Sequence, residues 1–425
     1  MHLKSTLCAA ITGAISLAGI VALPAGAAHA TPAHAVAANL IANPGVEVGV
    51  GNVPAGWSTD NWGTNTTTFS RTTDAHSGTY AARVSITGWK SGDAKWGYTA
   101  VPVVGGAYYT FDDWYKSNVG SEVALAYTLH NGSTSWYNLN LGIAPSPSRW
   151  SQFRGGFIMP AGAVTAYFAH ILPSNGWLET DDYSMTRRAT APEFKRALIS
   201  IAMDNASPSE YAALQTAKPY GFKSTLFCLT NRIGTDEWSA ATIKALFLAG
   251  NEIGGHSVSH PELPTLNAAQ LKYQITASKT KLESIVGKGN ITDFGSPFGE
   301  YNATTIAAIK ADGYSSQRST DEGINTASDL NPWNIHVENM QRTTTLAQFA
   351  SWVHAAVVGH YYLVVVYHEF LTTAQLAQNL PEDNFWSTSP ALWKQQLNVI
   401  KASGVKVVTI HNALKELLPQ VHLGS

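Results

Sequence analysis

His256 and His260 stand four residues apart in the stretch GGHSVSHPEL. Neutral imidazole is a good ligand for zinc and other borderline divalent metals. Wound as one helical turn, this spacing would turn both rings to one side, close enough to share a cation. The pattern alone is weak, since capping or surface histidines also produce it, but here a short glycine-bearing run precedes it and a proline follows. A second suggestive group is the acid pair Asp112 and Asp113 in AYYTFDDWY, which has the look of a base beside a ligand. Those acids lie in an alternating run, however, and neighbouring side chains of a strand point to opposite faces, so the resemblance to a site is read as coincidence. Asp204 and Asn205 instead end the apolar run RALISIAMDN, and His368 ends another, VVVYHEF.

Two stretches of different grammar must position these residues. From about Asn39 to Met185, short alternating runs such as TYAARVSIT and EVALAYTLH are separated by Gly, Asn and Ser clusters, the pattern of an all-β sandwich, here bounded as residues 36–186. Residues 187–195, with Pro192, read as a linker. Residues 196–420 alternate β-rich and helical runs about seven times, which predicts a parallel sheet with helices outside it, as an open sheet or a barrel. Chemistry in such folds sits at the C-terminal strand ends, where Asp204, His256, His260 and His368 all fall.

Composition narrows the setting. Residues 1–30 carry Lys4, an apolar run and the triplet Ala28, His29, Ala30, the layout of a cleaved export signal. The mature chain is therefore expected to be secreted, extracellular or bound to the cell wall, with no integral membrane segment. Cys8 leaves with the signal, so Cys228 stands alone and is expected as a small hydrophobe in a strand. With Lys plus Arg at 27 against Asp plus Glu at 29, there is no electrostatic case for a nucleic acid or an anionic membrane. A monomer acting on a neutral ligand is expected.

AMDNAS, HSVSHPEL, SPFGEYN and VVYHEF, in that order, resemble the strand-end motifs of the polysaccharide deacetylases, the family built on the nodulation chitooligosaccharide deacetylase homology domain. The flanks YGFKSTLFCL, NEIGGHSVSHPEL and VKVVTI match as well, and the resemblance spans about Lys195 to Leu418. It implies a distorted (β/α)7 barrel and a metal-dependent hydrolase that removes acetyl groups, N-acetyl foremost and O-acetyl as the alternative, from an acetylated polysaccharide such as chitin, peptidoglycan or a glucosamine polymer. By the same resemblance Asp204 is the general base and His368 the general acid. Asn205, His256 and His260 hold a divalent metal, zinc foremost, and Pro297 and Phe298 face substrate and oxyanion. Two departures stand out. Position 205 carries Asn where the family usually has Asp, and the Arg that commonly precedes Pro-Phe-Gly is replaced by Gly295 and Ser296. Arg318 is the expected substitute for orienting the base, with a plain surface arginine as the alternative. A degenerate, non-catalytic glycan-binding protein is the competing reading of the whole chain.

The sandwich opens with NLIANPGVEVG and closes with GWLETDDYSM, which resembles, more loosely, jelly-roll carbohydrate-binding modules. That likeness implies a structural calcium held by Glu47 with Asp181 or Asp182, ordinary surface acids being the alternative. Sugar rings stack on exposed aromatics, and Trp62, Trp89, Trp96 and Trp136 lie in polar, Gly-rich contexts where exposure is expected.

Overall fold

A computed structural model describes residues 38–421 apart from 161, 236, 373 and 376–384; the expected export signal lies outside the described residues. Alternation of apolar and polar side chains builds two antiparallel sheets between residues 49 and 188. One runs in the order Thr134–Ile143, Ser121–Leu129, Ala163–Leu172, Asp93–Tyr98, Trp57–Trp62, and the other Ser151–Ile158, Tyr108–Ser117, Gly176–Arg188, Ala81–Thr87, Thr66–Thr72. Their inner faces meet in a core that includes Trp57, Trp96, Phe111, Phe168 and Tyr183, with Phe111 stacked on Phe168 at 4.4 Å. Trp96 is therefore a core residue, only 2 % exposed, against the expectation of an outward ring. The last strand also runs to Arg188, into the stretch read as linker.

The second half is a closed barrel. Seven parallel strands, Leu198–Asn205, Ser224–Cys228, Glu252–Gly255, Asp293–Gly295, Ser316–Glu322, Ile335–Asn339 and Tyr362–Tyr367, pair in sequence, and the first also pairs with the seventh. Lys406–Val407 adds a short pairing at the start of the first strand. Strands buried on both faces read as continuous apolar runs, as Tyr362–Tyr367 does with every residue buried, and Cys228 is buried likewise. Helices follow the strands, and their starts are set by side-chain caps: Ser207, Ser239, Asn267, Asn302, Thr345, Ser389 and Thr409 each accept a backbone N–H of the first turn. The strand Ile335–Asn339 and the helix Leu346–Val358 were not legible in the sequence. IHVEN is short and half polar although buried throughout, so it carries no strand signature. His368 consequently follows the seventh strand of the barrel.

From Ala37 onward the chain is one compact unit, in which sandwich and barrel touch through Tyr108 and Ser328 (2.6 Å), Tyr137 and His336, and Asn138 and Asn334. Among the described residues no helix is long and apolar enough to cross a membrane.

The acid pair of TFDDW is split by the pleat as expected. Asp112 is half-buried and accepts from Gln152, whereas Asp113 is 0 % exposed. Asp113 Oδ2 lies 2.7 Å from His170 Nδ1, and His170 Nε2 lies 2.8 Å from Ser121 Oγ. The chain has the connectivity of a nucleophile–base–acid triad, yet all three groups are buried, so no substrate reaches it and it serves as a polar pin in the core. Asp113→Ala is expected to cost roughly 3 kcal/mol by leaving the His170 nitrogen unpartnered, and Asp112→Ala under about 1 kcal/mol, both read from urea denaturation of the full chain.

Candidate functional site

Register sets this site. Asn205, Cys228, Gly255, Phe294 and Gln317 are paired neighbours round the barrel, and His256, Gly295 and Arg318 come one residue later on their strands. His368 follows Tyr367, the partner of Met203, and so stands beside Asp204. The loops that leave this rim turn abruptly. Asn205 (φ 89°), Ala206 (74°), Ser257 (65°), His260 (58°) and Phe298 (57°) make up five of the nine described non-glycine residues with positive φ. Left-handed backbone costs of order 1–3 kcal/mol per residue and persists only where the surroundings impose it.

His256 and His260 are not on a helix; they bracket a loop. Ser257 Oγ accepts the His260 N–H at 2.9 Å, and Gln274 Oε1 accepts the N–H groups of Val258 and Ser259, which folds the loop back on itself. The two rings still meet, with centroids 4.9 Å apart at 66°. His256 is buried and its Nδ1 donates to the Gly295 carbonyl at 2.7 Å. The carbonyl can only accept, so the proton sits on Nδ1 and Nε2 presents a lone pair, with no hydrogen-bond partner among the described residues. Desolvation pushes this imidazole down to about 3, so it is neutral over the physiological range.

Asp204, 2 % exposed, accepts from Arg318 Nη2 at Oδ2 (2.7 Å), while Oδ1 is buried without a partner among the described residues. Burial opposes its charged form but is outweighed by Arg318 and, after it, His256, His368 and His260, so the carboxyl is held below its usual range. Since His256 is neutral, Arg318 is the lasting counter-charge. Arg318 is 1 % exposed and lies over the Phe227 ring at 4.9 Å; the surface-arginine alternative is overturned. Gly295 is what admits it. A Cβ there would fall 2.6 Å from Arg318 Nη2 and 3.0 Å from Phe227 Cγ, so the position that lacks the expected arginine supplies the space for one from the next strand. Sequence alone offered no signal for Phe227 or for this role of Gly295.

His368 Nε2 is 3.5 Å from the same Asp204 oxygen, its side chain 22 % exposed, with Trp386 6.1 Å away. Desolvation lowers its pKa, partly countered by Asp204. Asp321 accepts from Tyr301 Oη at 3.0 Å. Pro297 is buried, and the Phe298 ring is 58 % exposed, edge-on to His260 at 4.4 Å.

The donor set suits a cation of borderline softness. Two imidazoles adjoin, one with a buried nitrogen that would cost about 1–3 kcal/mol if left unmatched, and Asn205 ends the strand two places round the barrel from the one before His256. Among the described residues no three His, Cys, Asp or Glu side chains gather as a metal cage, so the set depends on the amide of Asn205. In the sandwich, Glu47, Asp181 and Asp182 do converge around Gly45, but backbone and hydroxyl donors occupy them. Glu47 Oε1 accepts from Thr79 and Tyr80, Asp181 from His76, Ser77 and Asp182, and Asp182 from Ser77.

Residues 192–316 match the family model described as Polysaccharide deacetylase. Among curated proteins, a chitin deacetylase of Pestalotiopsis sp is 32% identical over 22% of this chain and 31% of its own length. A chitooligosaccharide deacetylase of Azorhizobium caulinodans is 31% identical over 15% and 30% respectively. The chain spans less than half the length of the curated relatives it matches. Among solved structures, the Xyl-CE4 domain of a multidomain xylanase from the hindgut metagenome of Trinervitermes trinervoides aligns at 17% identity and TM-score 0.38, over 52% of this chain and 91% of that one.

Gly295→Ala is expected to destabilise the protein by roughly 1–3 kcal/mol through overpacking. Gly120→Ala, whose Cβ would meet only the Ile143 carbonyl at 3.7 Å, should stay within about 0.5 kcal/mol, both by thermal or urea unfolding.

Proposed function

We propose that this protein, whose C-terminal half carries a polysaccharide deacetylase domain, is a secreted hydrolase that frees acetyl groups, N-acetyl foremost, from a cell-wall or extracellular glycan. The observation that carries this reading is the meeting of two chain-distant groups on one carboxylate: Arg318 and His368 on Asp204 Oδ2, with Oδ1 left over. A divalent cation, zinc foremost, held by His256, His260 and Asn205 would supply Lewis acidity toward the acetyl carbonyl and the attacking water.

The chain's own residues account for the proton traffic. Asp204, kept ionised by Arg318, takes the water proton at Oδ1, the oxygen not committed to the guanidinium. His368, whose Nε2 lies 3.5 Å from the Asp204 carboxylate, delivers a proton to the departing amine nitrogen and regains the one that Asp204 took from the water. Acetate and the amine leave, the amine carrying both protons of the water away as an ammonium ion, with no net change in the protons on the protein. The exposed Phe298 ring gives the sugar an apolar contact beside His260.

The sandwich is read as the part that holds the polymer. Trp62 (61 % exposed) and Trp136 (46 %) share one outer sheet face: Trp136 is opposite Ala126 and Ala126 opposite Tyr167, while Lys95, opposite Asp60, reaches the Trp136 ring at 4.9 Å. A reading without chemistry, as a glycan binder, draws on the neutral amide at position 205, a poorer ligand than carboxylate.

Purified full-length protein with added zinc should release acetate from at least one of acetylated chitin oligomers, peptidoglycan, glucosamine polymers or acetylated xylan, and Asn205→Asp should bind zinc at least about tenfold more tightly by calorimetry. No acetate from any of them, with no zinc bound, would establish the binder reading instead. Trp136→Ala should weaken retention on the insoluble polymer by about 1–3 kcal/mol while acetate release from short oligomers is unchanged.

A further inference from the structure

The strand Ser316–Glu322 pairs with Ile335–Asn339 through Arg318 opposite Ile335 and then Glu322 opposite Val337, so four residues of one strand are spanned by two of the other. The excess forms a bulge at Ser319, Thr320 and Asp321, and bulges re-aim side chains at active-site rims. Carbonyls that leave the ladder there are taken by side chains. Ser319 O accepts Arg318 Nη1 at 3.1 Å, and Thr320 O accepts Asn339 Nδ2 at 2.9 Å.

The Ser319 side chain is fixed in turn. Its Oγ donates to Asn334 Oδ1 at 2.8 Å and accepts the Asp321 N–H at 3.1 Å, and Asn334 Nδ2 donates to the Asn138 carbonyl at 3.0 Å. Asn138 lies on Thr134–Ile143 of the sandwich, and a backbone carbonyl only accepts, so the orientation of the Asn334 amide is settled by its partners. Ser319 and Asn334 are 0 % and 2 % exposed. The result is one buried line of contacts: Asn138 to Asn334, Asn334 to Ser319, Ser319 to Arg318, Arg318 to Asp204.

Arg318 needs that line. Among the described residues its Nε has no hydrogen-bond partner, and the guanidinium is held by Asp204 through Nη2 and by Ser319 O through Nη1. The Phe227 ring beneath it limits tilt but does not set rotation in the ring plane. The bond to Ser319 O therefore decides how Nη2 meets the carboxylate, and the bulge that presents Ser319 O is held by Asn334.

The geometry points to Asn334 as a positioning residue that ties the sandwich to the base-orienting arginine, so that the sandwich completes the support of the barrel's site besides holding polymer. This rests on the reading of Asp204 as the base. A displaced carboxylate of about 1 Å can lower turnover a hundredfold while substrate binding is spared.

The test uses three full-length variants: Asn334→Ala, Ser319→Ala as a second route to the same break, and Tyr108→Phe, which removes a different sandwich–barrel hydrogen bond to Ser328. In crystal structures of either relay variant, Arg318 should part from Asp204 beyond hydrogen-bond distance, and kcat on an acetylated oligosaccharide should fall about ten- to a hundredfold with KM within about twofold. Tyr108→Phe should leave both unchanged. Arg318 still seated on Asp204 in both relay variants overturns the proposal, whatever kcat does, and so does displacement of Arg318 with undiminished kcat in an active enzyme. If wild-type protein releases no acetate, the proposed function fails, and the Arg318 position in the variants still decides whether Asn334 positions it.

Discussion

The buried pair of Asp204 and Arg318 is the constraint around which the barrel's rim is organised. Neither group can be placed in such an interior alone, because an unpaired charge there is strongly disfavoured. The guanidinium reaches the carboxylate from a strand four places along the barrel, across Phe227 and through the space left by a glycine at position 295. One oxygen of Asp204 is thereby committed to the guanidinium. His256, neutral and held by the Gly295 carbonyl, depends on the same glycine from the other side. Gly295 thus serves both the histidine pair and Asp204, one by its carbonyl and the other by its missing side chain.

Backbone strain is concentrated where this arrangement needs it. Successive left-handed residues at 205 and 206 end the first strand, and 257 and 260 turn the histidine loop. The strain is held by specific neighbours: Ser207 caps the helix that follows, with Glu210 closing the box, and Gln274 clasps two amides of the histidine loop from the helix Ala268–Val286. Helix caps and loop clasps are local devices, and each acts here within three residues of Asp204, Asn205, His256 or His260.

The sandwich contributes more than a tethered ring of tryptophans. Its own polar core, built on Asp113, His170 and Ser121, shows how a pattern that looks catalytic becomes structural when no route from solvent reaches it. Two of its hydrogen bonds and one ring contact with the barrel fall on the segment that carries Ser328, Asn334 and His336. That segment lies directly behind the bulge that holds Arg318.

The sequence by itself determined most of the elements and which polar residues stand at the barrel rim. Alternation marked the sandwich, apolar runs ending in polar residues marked the barrel rim, and Asp204, Asn205, His256, His260 and His368 were legible because strand ends are where an α/β fold exposes side chains. The pleat likewise excluded Asp112 and Asp113 as a working pair. Local pattern carried no sign of the strand Ile335–Asn339, which is buried yet half polar, or of Trp96 lying inward, because burial is a property of the partner surface and not of the residue. The histidine spacing suggested a helical turn, and tertiary contacts from Gln274 and Ser257 made it a strained loop with the rings still together. Only the closed barrel decided that Arg318 is buried and faces Asp204. A charge on one strand finds its partner on another through register, closure and the volume of a glycine between them, and none of these is encoded in the residues adjacent to either.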